Sequence, residues 1–143
     1  MKSMFVFFLL SCLVVGCNNQ EKTQDVKQTS RNLLKELAQG DEFINLDVEV
    51  FRNTTLLPIS RGGEEITKAK AMIYRFYKHV KLVDGKYLLE LDNPKKLKMN
   101  MEVYELLKSN LEQMNSSIDS LKKQGVDVVI SPVDAAYLNM LLN

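Results

Sequence analysis

Between Met101 and Leu121 the apolar residues Met101, Tyr104, Leu107, Leu111, Met114, Ile118 and Leu121 recur at three- and four-residue steps, with Lys, Glu, Ser and Asn filling the other positions. That spacing places them on one face of a long α-helix and fits no strand, whose side chains repeat every second residue. The flanks agree. Asn100 stands where an N-cap is needed, and Met99 with Tyr104 is placed as a hydrophobic staple across it. Glu102 and Glu105 lie near the positive end of the helix dipole, Lys122 and Lys123 near the negative end, and Gly125 follows as a stop.

Shorter elements surround this helix. Leu33, Leu34 and Leu37 predict a short helix from Ser30 to Gln39, capped by Thr29 or Ser30 and stopped by Gly40. In FINLDVEVF the period changes: Ile44, Leu46, Val48 and Val50 alternate with Asn45, Asp47 and Glu49, which predicts a half-buried strand. NTTLLPISRGGEE reads as a connector broken by Pro58 and Gly62-Gly63. Two periods fit Glu64–Val80. Ile66, Ala69, Ile73, Phe76, Tyr77 and Val80 make a helix face behind acidic Glu64 and Glu65, and the helix is favoured over a strand. Asp84-Gly85 then marks a hairpin turn in KLVDGKYLLEL. Val126–Ile130 reads as a strand. SPVDAAYLNMLLN reads as a closing helix with Ser131 as cap, Pro132 at its first position and Asp134 in its first turn. Its apolar face, Val133, Ala136, Tyr137, Met140 and Leu141, is expected to dock on the long helix. The fold class expected is therefore α+β and helix-rich: a short N-terminal helix, a few strands including a hairpin, one long amphipathic helix and a C-terminal helix.

The first residues, MKSMFVFFLLSCLVVGC, join a cation at Lys2 to an apolar stretch from Met4 to Val15, with small Gly16 before Cys17. A basic start, a short apolar core and a small residue at the cut describe an export leader, and the stretch is too short for a spanning helix. Val14-Val15-Gly16-Cys17, behind Leu13, resembles the lipobox of bacterial lipoproteins. That resemblance implies cleavage between Gly16 and Cys17, lipidation of the Cys17 thiol and attachment to a membrane; Cys12 would leave with the leader. Asn18 in place of the retaining aspartate implies outer-membrane delivery, with the domain facing the periplasm or the cell surface. The organisation expected is a signal peptide over 1–16, a lipidated cysteine and flexible polar tether over 17–29, and a single globular domain over 30–143. Two or more acyl chains suffice for stable anchorage. A dozen extended tether residues at about 3.3 Å each reach roughly 40 Å.

Loss of Lys2 takes the formal charge of the chain from +1 to zero. A balanced charge argues against a nucleic-acid binder or a polybasic membrane-surface module. Candidate chemistry is sparse. His79 is the sole histidine, with no partner at zinc-ligand spacing, and neither metal nor cofactor is expected. A Ser60, His79, Asp47 triad rests on geometry that spacing does not give, so a surface or edge histidine is preferred. SRGGEE, with Arg61, has some texture of an anion-binding loop, but its glutamates oppose an anion and a linker is preferred. The carboxylate pairs Asp47 with Glu49 and Glu102 with Glu105 read as solvated faces. Tyr74, Arg75, Tyr77 and His79, around Phe76, form a candidate protein interface, because aromatic and basic residues are favoured at binding hot spots.

These observations lead to a non-enzymatic lipoprotein whose domain binds a protein of a cell-envelope assembly, such as a secretion system. A periplasmic immunity or inhibitor lipoprotein is the first alternative. A small envelope hydrolase or ligand-binding domain using His79 is the second.

Overall fold

The computed structural model describes residues 18–142, so Gly16 and Cys17 lie outside the described residues. In chain order the elements are α1 (Asn18–Gln39), α2 (Val48–Thr54), a 3-10 turn (Ile59–Arg61), α3 (Glu64–Tyr77), β1 (Val80–Val83), β2 (Lys86–Leu89), α4 (Met101–Lys123) and α5 (Ala135–Leu141). The class is α+β and helix-rich, with a single antiparallel hairpin among the described residues.

α1 starts twelve residues earlier than the cap expected at Ser30. The polar run read as a flexible tether is helical from Asn18 onward; it holds no Gly or Pro, and Glu, Lys and Gln are good helix formers. Ser30 is buried within the helix, and Leu34 and Ala38 enter the core. Gly40 ends it with its N–H donated to the Glu36 carbonyl at 2.8 Å. A Cβ there would sit 2.8 Å from the same oxygen, so only glycine fits this turn.

The strand expected in FINLDVEVF does not form. Ile44 and Leu46 do point into the core, and Ile44 makes one parallel bridge with Met99. The Asp47 carboxylate then accepts the N–H groups of Glu49 at 2.9 Å and Val50 at 3.2 Å and starts α2. An N-cap at the centre of an alternating run overrides the alternation.

The helical reading of Glu64–Val80 is correct as far as Tyr77, and Val80 opens β1. Val80 pairs with Leu89 and Val83 with Lys86. Asp84 and Gly85 turn the chain with φ of 51° and 74°, as a two-residue hairpin of type I′ demands.

α4 holds its neighbours through two asparagines. Asn115 accepts the Tyr87 N–H at 2.8 Å and donates to the Tyr87 carbonyl at 2.7 Å, fixing β2 to the helix. Asn100 treats Leu46 the same way, at 3.4 and 3.0 Å. The side-chain cap expected of Asn100 is therefore absent: its amide is spent across the fold, although it does occupy the N-cap position. Each amide stands in for an absent neighbouring strand. Met99 and Tyr104, the expected staple pair, are both buried.

Three C-terminal expectations are corrected. Val126–Ile130 forms no strand, and Val126 and Val129 are exposed. At Tyr87 the outward-facing backbone groups of β2 are already taken by Asn115, so the segment is tied instead by the Tyr87 hydroxyl donated to the Ser131 carbonyl at 2.7 Å. α5 begins at Ala135, not at Pro132, because Asp134 is its cap and accepts the Tyr137 N–H at 2.9 Å. It packs on α3 rather than on α4, and Leu142 beyond it enters the core while Ala136 and Met140 stay exposed. No helix among the described residues is long and apolar enough to cross a membrane.

Candidate functional site

α3 carries the four candidate interface residues or leads directly into them, and packing separates their roles. Arg75 is buried and spends all five guanidinium N–H groups on carbonyls. Nε and Nη2 both donate to Leu37, at 2.9 and 2.5 Å; Nη2 also reaches Gly40 at 2.8 Å. Nη1 donates to Glu42 at 2.7 Å and Lys98 at 3.1 Å. Burial lowers its pKa while Asp41 and Glu42 oppose that shift, and a guanidinium keeps its charge throughout. Arg75 thus caps the negative end of α1 from a neighbouring helix, and offers no donor to a partner.

Tyr77 lies edge-on to Phe76, with ring centroids 5.5 Å apart, and to Tyr137 of α5 at 5.8 Å. Burial, then Tyr137 and Tyr87, raise its pKa. It belongs to the α3–α5 contact. Phe76 is fully buried, and Tyr74 packs half-buried at the core's rim. Of the four candidates, Tyr74, Tyr77 and His79 remain partly accessible, and Arg75 is buried.

His79 follows α3 and lines a polar cleft of about 130 Å³ with Asp41, Lys78, Lys96 and Lys98. Burial and the Lys78 charge lower the imidazole pKa, and Glu90 partly opposes them. Lys98 holds a left-handed backbone, φ 56°, which turns its carbonyl toward both Arg75 and the Ile44 N–H. The proposed triad is not assembled: Ser60 lines a different cleft from His79, and Asp47 is engaged in capping α2.

The other sequence candidates are occupied locally. Glu49 pairs with Arg52 at 3.7 Å, and Glu102 accepts from the Asn100 amide at 3.1 Å. In SRGGEE, Gly62 and Gly63 take φ of 74° and 112° to lead into α3, where Glu64 pairs with Lys68 at 2.6 Å. Asp92 accepts the buried Tyr104 hydroxyl and, at 3.0 Å, the Lys108 ammonium. These two donors hold its carboxyl below the usual range, while burial and then Asp92 raise the Tyr104 pKa. This trio ties the loop after β2 to α4. No group of three or more His, Cys, Asp or Glu side chains suited to a metal occurs among the described residues.

A second cleft, about 290 Å³, opens between α1, the 3-10 turn, α3 and α5. Ile59, Ile73, Met140 and Leu141 give it apolar walls, and Lys70, Arg31 and Ser60 give it polar groups. Burial lowers the Lys70 pKa, and its ammonium donates to the Thr55 carbonyl at 3.3 Å. No sequence signal points to this cleft. A lysine on a helix is ordinary, and its lining residues are brought together only by packing.

Compared with known proteins, the chain matches no protein-family model, no curated protein and no solved structure.

Proposed function

We propose that this chain is a lipid-anchored component of the bacterial cell envelope, attached through Cys17, whose domain binds another envelope protein and performs no catalysis of its own. The observation that carries this reading is Val14-Val15-Gly16-Cys17 at the end of the apolar run from Met4 to Val15. Asn18 after the cysteine favours the outer membrane, with the domain facing the periplasm. The geometry of α1 supports a standing role. Helix from Asn18 to Thr29 rises about 18 Å at 1.5 Å per residue, less than half the reach of an extended tether, and so holds the domain at a set height. Its described side chains there, Asp25, Gln28 and Thr29, are exposed.

Two measurements test this. Intact-mass spectrometry of the purified protein is expected to find residues 1–16 removed and acyl chains on Cys17. An intact leader or a free thiol sinks the anchor. Crosslinking in living cells followed by capture of the chain is expected to recover one envelope protein reproducibly, and to lose it in Cys17→Ala. Recovery of no specific protein removes the accessory role. The immunity reading then becomes testable by deleting the gene and challenging the cells with neighbouring strains.

A further inference from the structure

The cleft between α3 and α5 has a composition that none of the anchoring argument uses. Lys70 stands at its wall as a half-buried ammonium, and among the described residues no carboxylate pairs with it; its hydrogen bond goes to a neutral carbonyl. No Asp or Glu is among the residues lining the cleft. Charges withdrawn from water are ordinarily paired, so a half-buried cation beside an apolar hollow complements an anion carrying an apolar body. Size narrows the choice. A hollow of about 290 Å³ lies at the small end of the range for small-molecule clefts, which suits a short amphiphile rather than a long-chain lipid. The roof is adaptable. Met140 is largely exposed at the mouth, and none of the seven residues of α5 is buried, so this helix can adjust to an occupant.

We propose that the cleft binds a medium-chain aliphatic carboxylate such as octanoate, with its head on the Lys70 ammonium and its tail between Ile59, Ile73 and Leu141 beneath Met140. This site is independent of Cys17, and stands or falls apart from the anchor.

Photo-crosslinking tests it with the whole chain in detergent-free cell lysate. A diazirine-bearing octanoate is irradiated with the lysate, the chain is recovered by an affinity tag, and labelled peptides are mapped by mass spectrometry. Label is expected on α5 and on the Lys70–Ile73 turn, displaced by excess octanoate and not by octyltrimethylammonium. Lys70→Met is expected to lower labelling about tenfold, in keeping with loss of a charge-assisted hydrogen bond, while Lys70→Arg retains most of it. Met140→Glu, at an exposed position that leaves folding intact, is expected to suppress labelling by placing a like charge at the mouth. Label mapping elsewhere, equal displacement by the cationic amphiphile, or undiminished labelling of correctly folded Lys70→Met would each overturn the proposal.

Discussion

Arg75 joins more of this molecule than any other side chain described. Its five hydrogen bonds end on the carbonyls of Leu37, Gly40, Glu42 and Lys98, which lie on both sides of α3 in the sequence. Arg75→Met removes this donor from the carbonyls of Leu37, Gly40 and Glu42, while that of Lys98 keeps the Ile44 N–H, and at about 1–3 kcal/mol for each one not recovered by water a loss of about 3 kcal/mol is expected in urea unfolding. Arg75→Lys is expected to rescue little, since an ammonium cannot reproduce the planar fork. His79 offers a clean titration because the chain has one histidine. Its NMR midpoint is expected below 6.5, the ordinary value, and a midpoint at or above it would contradict the cationic, partly buried setting. Asp92 is one of four described carboxylates, with Glu64, Glu102 and Asp119, whose lowered pKa contributes to acid stability. Its pKa is lowered in the fold, so its contribution is complete above the ordinary 3.8 and is lost as pH falls through the depressed folded value. Thermal unfolding from pH 5 to pH 2 is expected to show a shallower acid decline in Asp92→Asn than in the parent.

At the scale of elements, the hairpin and α4 form one unit through Asn115. Gly85→Ala puts a Cβ 2.7 Å from the Lys122 ammonium and holds alanine at φ 74°, and is expected to cost about 1–2 kcal/mol. The long helix and this turn were legible because their signals are local: a repeat over about six turns and a two-residue motif. The same locality misled elsewhere. Alternation from Ile44 to Val50 gave the right inward residues, Ile44 and Leu46, and the wrong element, since one capping carboxylate at Asp47 redirected the backbone. Val126–Ile130 has strand residues and no strand, because pairing requires a partner edge and the edge at Tyr87 is filled from α4. Asn100, Asn115 and Arg75 bond to backbone groups 54, 28 and up to 38 residues away, and no window of sequence contains such a pair. For the same reason Arg75 looked like an interface residue and is an internal one, whereas Lys70 looked like nothing in particular.

The whole molecule divides into a helical stem and a packed body that share α1. Among the described side chains of α1 the first buried one is Ser30, and those described before it are exposed. Asp25→Pro is therefore expected to unravel about two turns of helix by circular dichroism, and to move the urea midpoint of the body by no more than the equivalent of about 0.5 kcal/mol. A larger shift would show that the stem is braced by the body. The connector between α2 and α3 has a further property. Because Arg75 lies beyond it and grips carbonyls before it, this surface loop is no seam. A protease that nicks the chain between Leu56 and Gly63 severs the covalent link between the two pieces, yet they should still elute together from a sizing column until denaturant parts them.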